Sequence, residues 1–373
     1  MKQTNAASAS AVSDALCTLY ESYGYTQYNM SKFEAYDLYV RNKDFLISDN
    51  VITFTDTNGQ LMALKPDVTL SIVKNNRDEP GCVQRVYYQE NVYRISKGTH
   101  CFRELPQTGL ECMGEIDTFC LFDVIRLACL SLRTVSPSSV LDLSHLTPVR
   151  VVFDRLDLPK DVKDAMLKCI GEKNLHELRR LCADNAVDET AEKQLETLVS
   201  CSGDAQTVLP KLRQTFDDPA SKAAFSQLEE ILCELQKAGL SDMIRLDFSV
   251  ISDMKYYNGL IFKGFVQGVP NSVLSGGQYD PLMRRMGRRS GAIGFAVYFD
   301  ELARLLDVDA AYDLDTLVLY DDSTPWQVLE ETLCALRAKG VSVSAQRNMP
   351  AGLRCRQIFK LEKGEVKTVD THA

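Results

Sequence analysis

The segments IRLDFSV (residues 244–250) and YYNGLIFKGFV (256–266) decide the fold of this chain. Both are short runs rich in aromatic and β-branched residues, which is typical of β-strands. Two upstream segments, VQRVYYQENVYR (83–94) and LPQTGLECMGEI (105–116), also alternate as strands do. A helix capped by Asp117 is predicted directly after them. The pattern therefore predicts an α+β fold in which helices pack on an antiparallel sheet.

The N-terminal segments add a helix, a strand and a hairpin to this sheet. Residues 8–22 have helical periodicity, and GYTQYNM (24–30) predicts a strand. The segment VITFTDTNGQLMAL (51–64) predicts a β-hairpin, because Asn58-Gly59 is a strong turn signal between two strand-like runs. Asp67 stands at the predicted start of the next helix.

The sequence changes in character after the first half of the sheet. Segments between His145 and Gly239 have helical periodicity and little strand signal. We therefore expect residues 1–144 and 240–306 to form one core that is interrupted by a helical insertion at 145–239. Residues 307–373 predict a small C-terminal α/β unit of strands around one capped helix.

Composition excludes several classes of protein. No run of about 18 apolar residues occurs, so no membrane span is expected. The N-terminus lacks the apolar centre of a secretory signal, which favours the cytoplasm. Twelve cysteines form no CxxC pair and no cluster with histidine at zinc spacing, so neither a zinc site nor a disulfide framework is predicted. No motif for a cofactor or a metal is present, and none is expected.

The chain carries a formal net charge of -9, and its dense basic stretch is RRMGRR (284–289). We interpret this stretch as a solvated helix end and turn rather than as a nucleic-acid patch. The histidines give no catalytic signal. His145 and His176 are predicted to be surface or capping residues of helices, and His100 is predicted to lie in a loop.

In order and spacing, four segments resemble the motifs of the histidyl-tRNA synthetase family. They are LKPDVT (64–69), YYQENVYRISKGTHCFRELPQTGLECMGEID (87–117), VISDMKYYNGLIFK (250–263), and SGGQYDPL together with IGFAVYFDEL (275–282 and 293–302). The resemblance covers most of residues 10–306. It implies a class II aminoacyl-tRNA synthetase-like core, an antiparallel sheet with helices.

This chain departs from the family where arginines handle ATP phosphates and the reacting carboxylate. Cys101, Ser252, Gln278 and Glu301 occupy four such positions, and Lys65 replaces a fifth arginine. Loss of one preorganised cation where charge develops typically costs about 2.7–4 kcal/mol of transition-state stabilisation. The resemblance therefore implies a family member without catalytic residues.

Two segments resemble a non-catalytic branch of this family, the regulatory subunits of ATP phosphoribosyltransferase. They are LKPDVT and LDLSHLTPVRVVFDRLDLP (141–159). The short C-terminal unit also fits poorly with a complete anticodon-binding domain. Membership of that branch implies a homodimeric core within a hetero-oligomer, with the short-form ATP phosphoribosyltransferase catalytic subunit as partner. It implies no tRNA and no membrane. Two alternatives stay open: an active histidyl-tRNA synthetase, and a stand-alone synthetase-like amino-acid sensor.

The resemblance also implies a histidine-binding pocket, to which histidine would bind as a regulatory ligand. The residues that match the family's amino-acid site are Asp67, Thr69, Arg94, Gln107, Glu111, Tyr256 and Tyr257. A carboxylate near the ligand's ammonium group would form a charge-assisted pair. Other interpretations of the same residues stay open: Asp67 simply caps a helix, and Arg94, Arg103 and Glu111 form structural ion pairs. Residues 24–39 match the family's dimer element.

Overall fold

The computed structural model describes residues 9–42, 51–76, 78–95, 101–251, 256–306, 313–362 and 365–369. The predictions made for Ser252 and His100 lie outside these described residues. Contacts divide the chain into two compact units, a core over Ala9–Ala303 and a C-terminal unit that contains Arg304–Ala373.

Two sheets lie in the core unit. Its strands are β1 (Thr26–Gln27), β2 (Phe33–Ala35), β3 (Thr53–Thr55), β4 (Leu61–Leu64), β5 (Val83–Ile95), β6 (Phe102–Gly114), β7 (Ser139–His145), β8 (Ser202–Gly203), β9 (Ile244–Asp247), β10 (Leu260–Val266), β11 (Leu274–Gln278) and β12 (Gly291–Tyr298). Nine form one sheet in the order β1-β5-β6-β12-β11-β10-β7-β9-β8, and the others form a small sheet, β2-β4-β3. The large sheet is antiparallel except where β1 meets β5 and β7 meets β9. The predicted α+β architecture is confirmed.

Twelve helices accompany these strands in the described part of the chain. They are α1 (Ala9–Ser22), α2 (Tyr36–Arg41), α3 (Thr69–Asn75), α4 (Thr118–Val135), α5 (Leu146–Arg155), α6 (Lys160–Gly171), α7 (Leu175–Asp184), α8 (Glu189–Ser200), α9 (Ala205–Thr215), α10 (Pro219–Lys237), α11 (Asp280–Arg285) and α12 (Phe299–Leu306), with a 3-10 turn at Ser241–Met243. Asp117 caps α4 as predicted, because its side chain accepts a hydrogen bond from the Cys120 N–H at 2.8 Å.

Three local predictions need correction. The strand predicted over 24–30 pairs only at Thr26–Gln27, because Gly24 has a φ of +81° in the turn that closes α1. The stretch predicted to be helical also contains β8, which pairs with β9 at the sheet edge. His145 ends strand β7, which pairs with β10 along its whole length, rather than lying in a helix, and its ring is buried with Nε2 at 3.3 Å from the Gln227 Oε1 atom on α10. Its ring does cap α5, as predicted, by accepting from the Thr147 N–H.

Helices α1 and α4 cover one face of the large sheet. Tyr20 on α1 is fully buried, and its hydroxyl group lies 2.9 Å from that of Ser131 on α4. Ser13 on α1 reaches the hydroxyl group of Thr108 on β6 at 2.6 Å. Side chains alternate between the two faces of a strand, so the odd-numbered neighbours Gln107 and Glu111 point away from these helices. Strand β6 thus directs polar groups to the opposite face.

The C-terminal unit contains a four-stranded sheet and one helix. Its elements are β13 (Leu314–Leu319), α13 (Trp326–Arg337), β14 (Val343–Gln346), β15 (Cys355–Glu362) and β16 (Glu365–Val369), with the strand order β14-β13-β15-β16. Leu329 and Leu333 of α13 pack on Val318 and Leu361 of the sheet. The predicted small α/β unit is confirmed.

Candidate functional site: a polar cleft on the large sheet

A cleft of about 700 Å³ lies over strands β6, β11 and β12. All seven residues predicted from the sequence line it: Asp67, Thr69, Arg94, Gln107, Glu111, Tyr256 and Tyr257. They come from the loop and helix after β4, from β5, from β6 and from the segment before β10. The fold therefore brings together residues that lie almost 200 positions apart in sequence.

Glu111 forms the floor of the cleft because its neighbour on β12 is a glycine. The two strands pair at Glu111 and Gly294. A Cβ atom at Gly294 would lie 1.7 Å from the Glu111 Oε2 atom and 2.5 Å from the carbonyl oxygen of Leu110. Gly294 is thus required for the buried carboxyl group to lie flat on the sheet.

The Glu111 carboxyl group is enclosed and receives two hydroxyl donors. Only 2% of the residue is exposed. Thr69 donates to Oε1 at 2.7 Å, and Tyr279 donates to Oε2 at 2.6 Å. Burial disfavours the charged form and raises the pKa of Glu111 to about 8, although both hydroxyl groups oppose this shift. The group can therefore change its charge near neutral pH when a ligand alters its surroundings.

Asp67 lies at the edge of the cleft, where it both accepts a hydrogen bond at the start of α3 and faces the cavity. Its Oδ1 atom accepts a hydrogen bond from the Leu70 N–H at 2.9 Å, so the prediction that it caps a helix is confirmed. Burial raises the pKa of Asp67, while the Leu70 N–H and the nearby Arg94 guanidinium oppose that rise. Arg94 is held in place because its Nε atom donates to the Pro66 carbonyl at 3.1 Å. An acid and a cation thus face the same cavity.

Three tyrosines form an aromatic wall. The ring centroids of Tyr256 and Tyr257 are 4.6 Å apart, and those of Tyr256 and Tyr279 are 5.9 Å apart. Sequence reasoning missed Tyr279, which follows the glycine pair of SGGQYD and contacts Glu111 directly. Its place within a segment that matches a family motif is the sequence signal that could have identified Tyr279 as a residue of the site. A flat polar ring such as an imidazole would pack well against such a wall.

Gln107 is a polar residue of the cleft floor. The residue is 5% exposed, and it lines the cavity beside Glu111. Within the described part of the chain, its amide forms no hydrogen bond to another side chain. The donors and the acceptor of this amide are therefore available to a polar ligand in the cavity.

The mouth of the cleft is acidic where the family has an arginine. Asp300 and Glu301 line it together with Lys263, and Glu301 accepts a hydrogen bond from the Asn271 amide at 2.9 Å. Carboxylates at this end repel the phosphates of a nucleotide. The replacement noticed in the sequence therefore changes the charge of the cavity itself.

Two other replaced positions do not line the cavity. The Gln278 Oε1 atom accepts from the Leu260 N–H at 2.8 Å, so it joins β11 to β10. Cys101 is exposed, as is Arg103, and neither lines the cleft. The alternative in which Arg94, Arg103 and Glu111 form structural ion pairs is wrong, because none of the three has an oppositely charged partner within 4 Å among the described residues.

The arrangement can bind a small polar ligand. Acids and an arginine face an aromatic wall, and among the described residues of the cleft the Ser275 hydroxyl lies 2.5 Å from that of Tyr298. Among the described residues, no three histidine, cysteine or acidic side chains are grouped to hold a metal ion. No described helix is long and apolar enough to cross a bilayer.

Comparison with known proteins is consistent with the predicted resemblance. The profile of a family described as histidyl-tRNA synthetase matches residues 1–302. A protein of Oceanobacillus iheyensis named ATP phosphoribosyltransferase regulatory subunit is 25% identical over 289 residues, which are 76% of this chain and 71% of that protein. Many further relatives bear the same name, among them one from Clostridium acetobutylicum that is 24% identical and matches 88% of this chain and 83% of its own length.

Solved structures share the fold. An ATP phosphoribosyltransferase regulatory subunit/histidyl-tRNA synthetase from Bacillus halodurans superposes with a TM-score of 0.79 and 22% identity, over 94% of this chain and 92% of that chain. A chain of the ATP phosphoribosyl transferase (HisG:HisZ) complex from Thermotoga maritima superposes with a TM-score of 0.60 and 19% identity, over 77% of this chain and 96% of that one. The predicted class II synthetase-like fold is confirmed.

Proposed function

The chain belongs to the histidyl-tRNA synthetase family, and from that membership we propose that it is a regulatory subunit of ATP phosphoribosyltransferase. The relatives that carry this name match three quarters or more of the chain. The observation that carries the proposal is the selective chemistry of the cleft. Groups suited to an amino acid are kept around Glu111, whereas carboxylates stand at the end where a synthetase holds ATP.

Reconstitution tests this function directly. The purified chain is mixed with the short-form catalytic subunit from the same genome, and the formation of phosphoribosyl-ATP from ATP and phosphoribosyl pyrophosphate is followed. We expect a stable hetero-oligomer in which the catalytic subunit is active and is inhibited by histidine. The same activity without this chain, or no complex between the two proteins, would contradict the proposal.

The chain itself is proposed to be non-catalytic. Asp300 and Glu301 repel ATP, and the cation that would stabilise developing charge is absent from the amino-acid motif. The assay is histidine-dependent exchange of pyrophosphate into ATP, followed by charging of tRNA. Clear turnover in either assay by the purified chain would favour an active histidyl-tRNA synthetase instead. Histidine binding without any association with the catalytic subunit would favour a stand-alone sensor.

Histidine is the proposed ligand of the cleft. Asp67 and Glu111 would face its ammonium or imidazole group, Arg94 its carboxylate, and the tyrosines its ring. If histidine binds one state of the complex more tightly than another, it shifts the equilibrium between the two states. The usual coupling free energy is about 1–3 kcal/mol. Two hydroxyl groups already donate hydrogen bonds to the Glu111 carboxyl group. A competing hypothesis is therefore that the polar groups of the cleft bind one another and no longer bind a ligand.

Calorimetry with histidine separates these views. We expect heat of binding for the wild type, and loss of both binding and feedback inhibition when Glu111→Ala is combined with Tyr257→Ala. Gln107→Ala, which removes an amide without an internal partner, should weaken binding with little effect on folding. If histidine binds neither the chain nor the complex at this cleft, partner activation is the chain's sole role.

A homodimer through the N-terminal segment completes the proposal. Phe33 is 48% exposed and Val40 is 50% exposed, and both lie at or beside residues 24–39, the segment that matches the family's dimer element. The Phe33 ring meets that of Phe54 edge to face at 5.7 Å. A two-fold interface would cover this apolar patch on both subunits at once. A cytoplasmic location stays a prediction.

A further inference from the structure

The stretch RRMGRR (284–289) forms a rigid turn at the end of α11. The helix ends at Arg285, Gly287 has a φ of +74°, and β12 begins at Gly291. The positive φ permits the chain to reverse within a few residues. The sequence interpretation of a helix end and turn is therefore confirmed, but the turn is more constrained than a solvated loop would be.

Three separate elements hold this turn. The Nη2 atom of Arg285 donates to the Arg41 carbonyl at the end of α2 at 3.1 Å. The Nη2 atom of Arg288 donates to the Lys74 carbonyl in the last turn of α3 at 2.7 Å. The Asp78 carboxylate accepts from the Arg289 N–H at 2.7 Å and from the N–H of the following serine at 3.2 Å. The backbone of the arginine turn is thus fixed.

The four arginines of this turn lack carboxylate partners. Among the described residues, none of Arg284, Arg285, Arg288 and Arg289 has a carboxylate oxygen within 4 Å. The nearby carboxylate of Asp78 is occupied by backbone N–H groups, which hold its pKa below the usual range. Arg284 and Arg289 are also exposed. Four guanidinium groups without a carboxylate partner among the described residues form a local positive field in a chain whose net charge is -9, and backbone carbonyls hold two of them, those of Arg285 and Arg288.

The surroundings of this arginine cluster fit a protein partner better than a nucleic acid. Through its contact with the Arg41 carbonyl, the cluster lies next to α2 and borders the apolar patch assigned above to the proposed homodimer. Arginine next to exposed apolar surface is typical of protein interfaces. The other charges described nearby are neutralised in pairs, Lys74 with Glu34 at 2.7 Å and Arg41 with Asp37 at 3.3 Å. The four arginines of the turn are thus a compact cationic patch, whereas a phosphate backbone generally requires a more extended basic surface.

We propose that the arginine cluster (Arg284, Arg285, Arg288 and Arg289) docks an acidic surface of a partner protein. The inference rests on the proposed function, under which that partner is the catalytic subunit of ATP phosphoribosyltransferase. Guanidinium groups bind carboxylates in two-pronged hydrogen bonds. The carbonyl contacts of Arg285 and Arg288 reduce the side-chain freedom that these two residues would lose on binding. Charge complementarity of this kind accelerates association and makes it sensitive to salt.

The test is a double charge reversal, R284E/R289E, in the full-length chain. These two side chains make no hydrogen bond or ion pair to other described residues, so the fold should be kept, and circular dichroism checks this. The control is K193E/K211E, which changes the net charge equally on the exposed surface of α8 and α9. R284A/R289A removes charge without introducing repulsion. The dissociation constant for the catalytic subunit is measured by surface plasmon resonance at low and high salt.

We expect R284E/R289E to weaken the complex by on the order of tenfold or more at low salt, R284A/R289A to weaken it less, and the control to change little. The difference from wild type should shrink at high salt. Equal affinity of R284E/R289E and wild type would overturn the inference while leaving the proposed function intact. Absence of any wild-type complex would overturn both.

Two further measurements test whether a second copy of this chain or a nucleic acid, rather than the catalytic subunit, binds the arginine cluster. Sedimentation of the chain without partner should give the same oligomeric state for R284E/R289E and wild type. A shift of the variant to monomer would mean that the cluster faces a second copy, which overturns the inference. Binding of a single-stranded RNA oligonucleotide by wild type and its loss in the variant would overturn it in favour of a nucleic acid.

Discussion

The substitution Glu111→Gln should change how the stability of the core depends on pH. Glu111 has its pKa raised from 4.5 to about 8, chiefly by burial. A raised pKa means that the folded protein holds a proton that the unfolded chain has already released at neutral pH. The stabilisation is therefore complete below the unfolded pKa and is lost as the pH rises through about 8. Glutamine keeps the shape and hydrogen bonds of the protonated acid without this titration.

The size of the effect follows from linkage. Between about pH 6 and about pH 9, the wild type should lose about 2–3 kcal/mol of unfolding free energy relative to Glu111→Gln. The two proteins differ at one titratable group, so the contributions of all other groups cancel in the difference. Most of the change should fall below pH 8, where the folded protein still carries the extra proton.

Urea unfolding of both proteins across this pH range supplies the measurement. Far-UV circular dichroism is the suitable probe, because the single tryptophan, Trp326, belongs to the C-terminal unit and is 81% exposed. A difference in unfolding free energy that is flat across the range would refute the reasoning. It would mean that the two hydroxyl donors keep Glu111 ionised in the folded protein despite its burial.

Three further predictions concern packing, a buried charge and assembly. Gly294→Ala should destabilise the core by about 1–3 kcal/mol or more in thermal unfolding, because the new Cβ would overlap Glu111, whereas Gly171→Ala, whose nearest atom lies at 3.6 Å, should be tolerated. Lys65→Met should cost up to about 3 kcal/mol in urea unfolding, since it leaves a partly buried carboxylate unpaired; no loss would show that solvent already screens that acid. Phe33→Asp should turn a dimer into a monomer in sedimentation without loss of helix content, and an unchanged dimer would place the interface elsewhere.

The sequence predicted most of the cleft because family motifs fix residue types at fixed spacing. The motifs alone identify Asp67, Glu111 and the pair Tyr256 and Tyr257 as residues of one pocket. No local pattern indicates that two hydroxyl groups enclose Glu111, since one of them comes from Tyr279, which is 168 positions away. Partners so distant along the chain meet only when strands β6, β11 and β12 pair.

Local patterns by themselves determined the elements of this protein. Strand alternation, the Asn58-Gly59 turn and the Asp117 cap depend on residues within a few positions of one another, so they can be read directly from the sequence. The predictions that were wrong concern residues whose burial or strand pairing depends on neighbours that are distant in sequence. His145 ends a strand because β10 pairs along β7, and the short strand β8 exists because β9 offers it an edge. Tertiary structure also decided which charges are neutralised. Arg285 and Arg288 donate hydrogen bonds to carbonyl groups of helices that are distant in sequence. These bonds hold the turn in place but do not neutralise its positive charge.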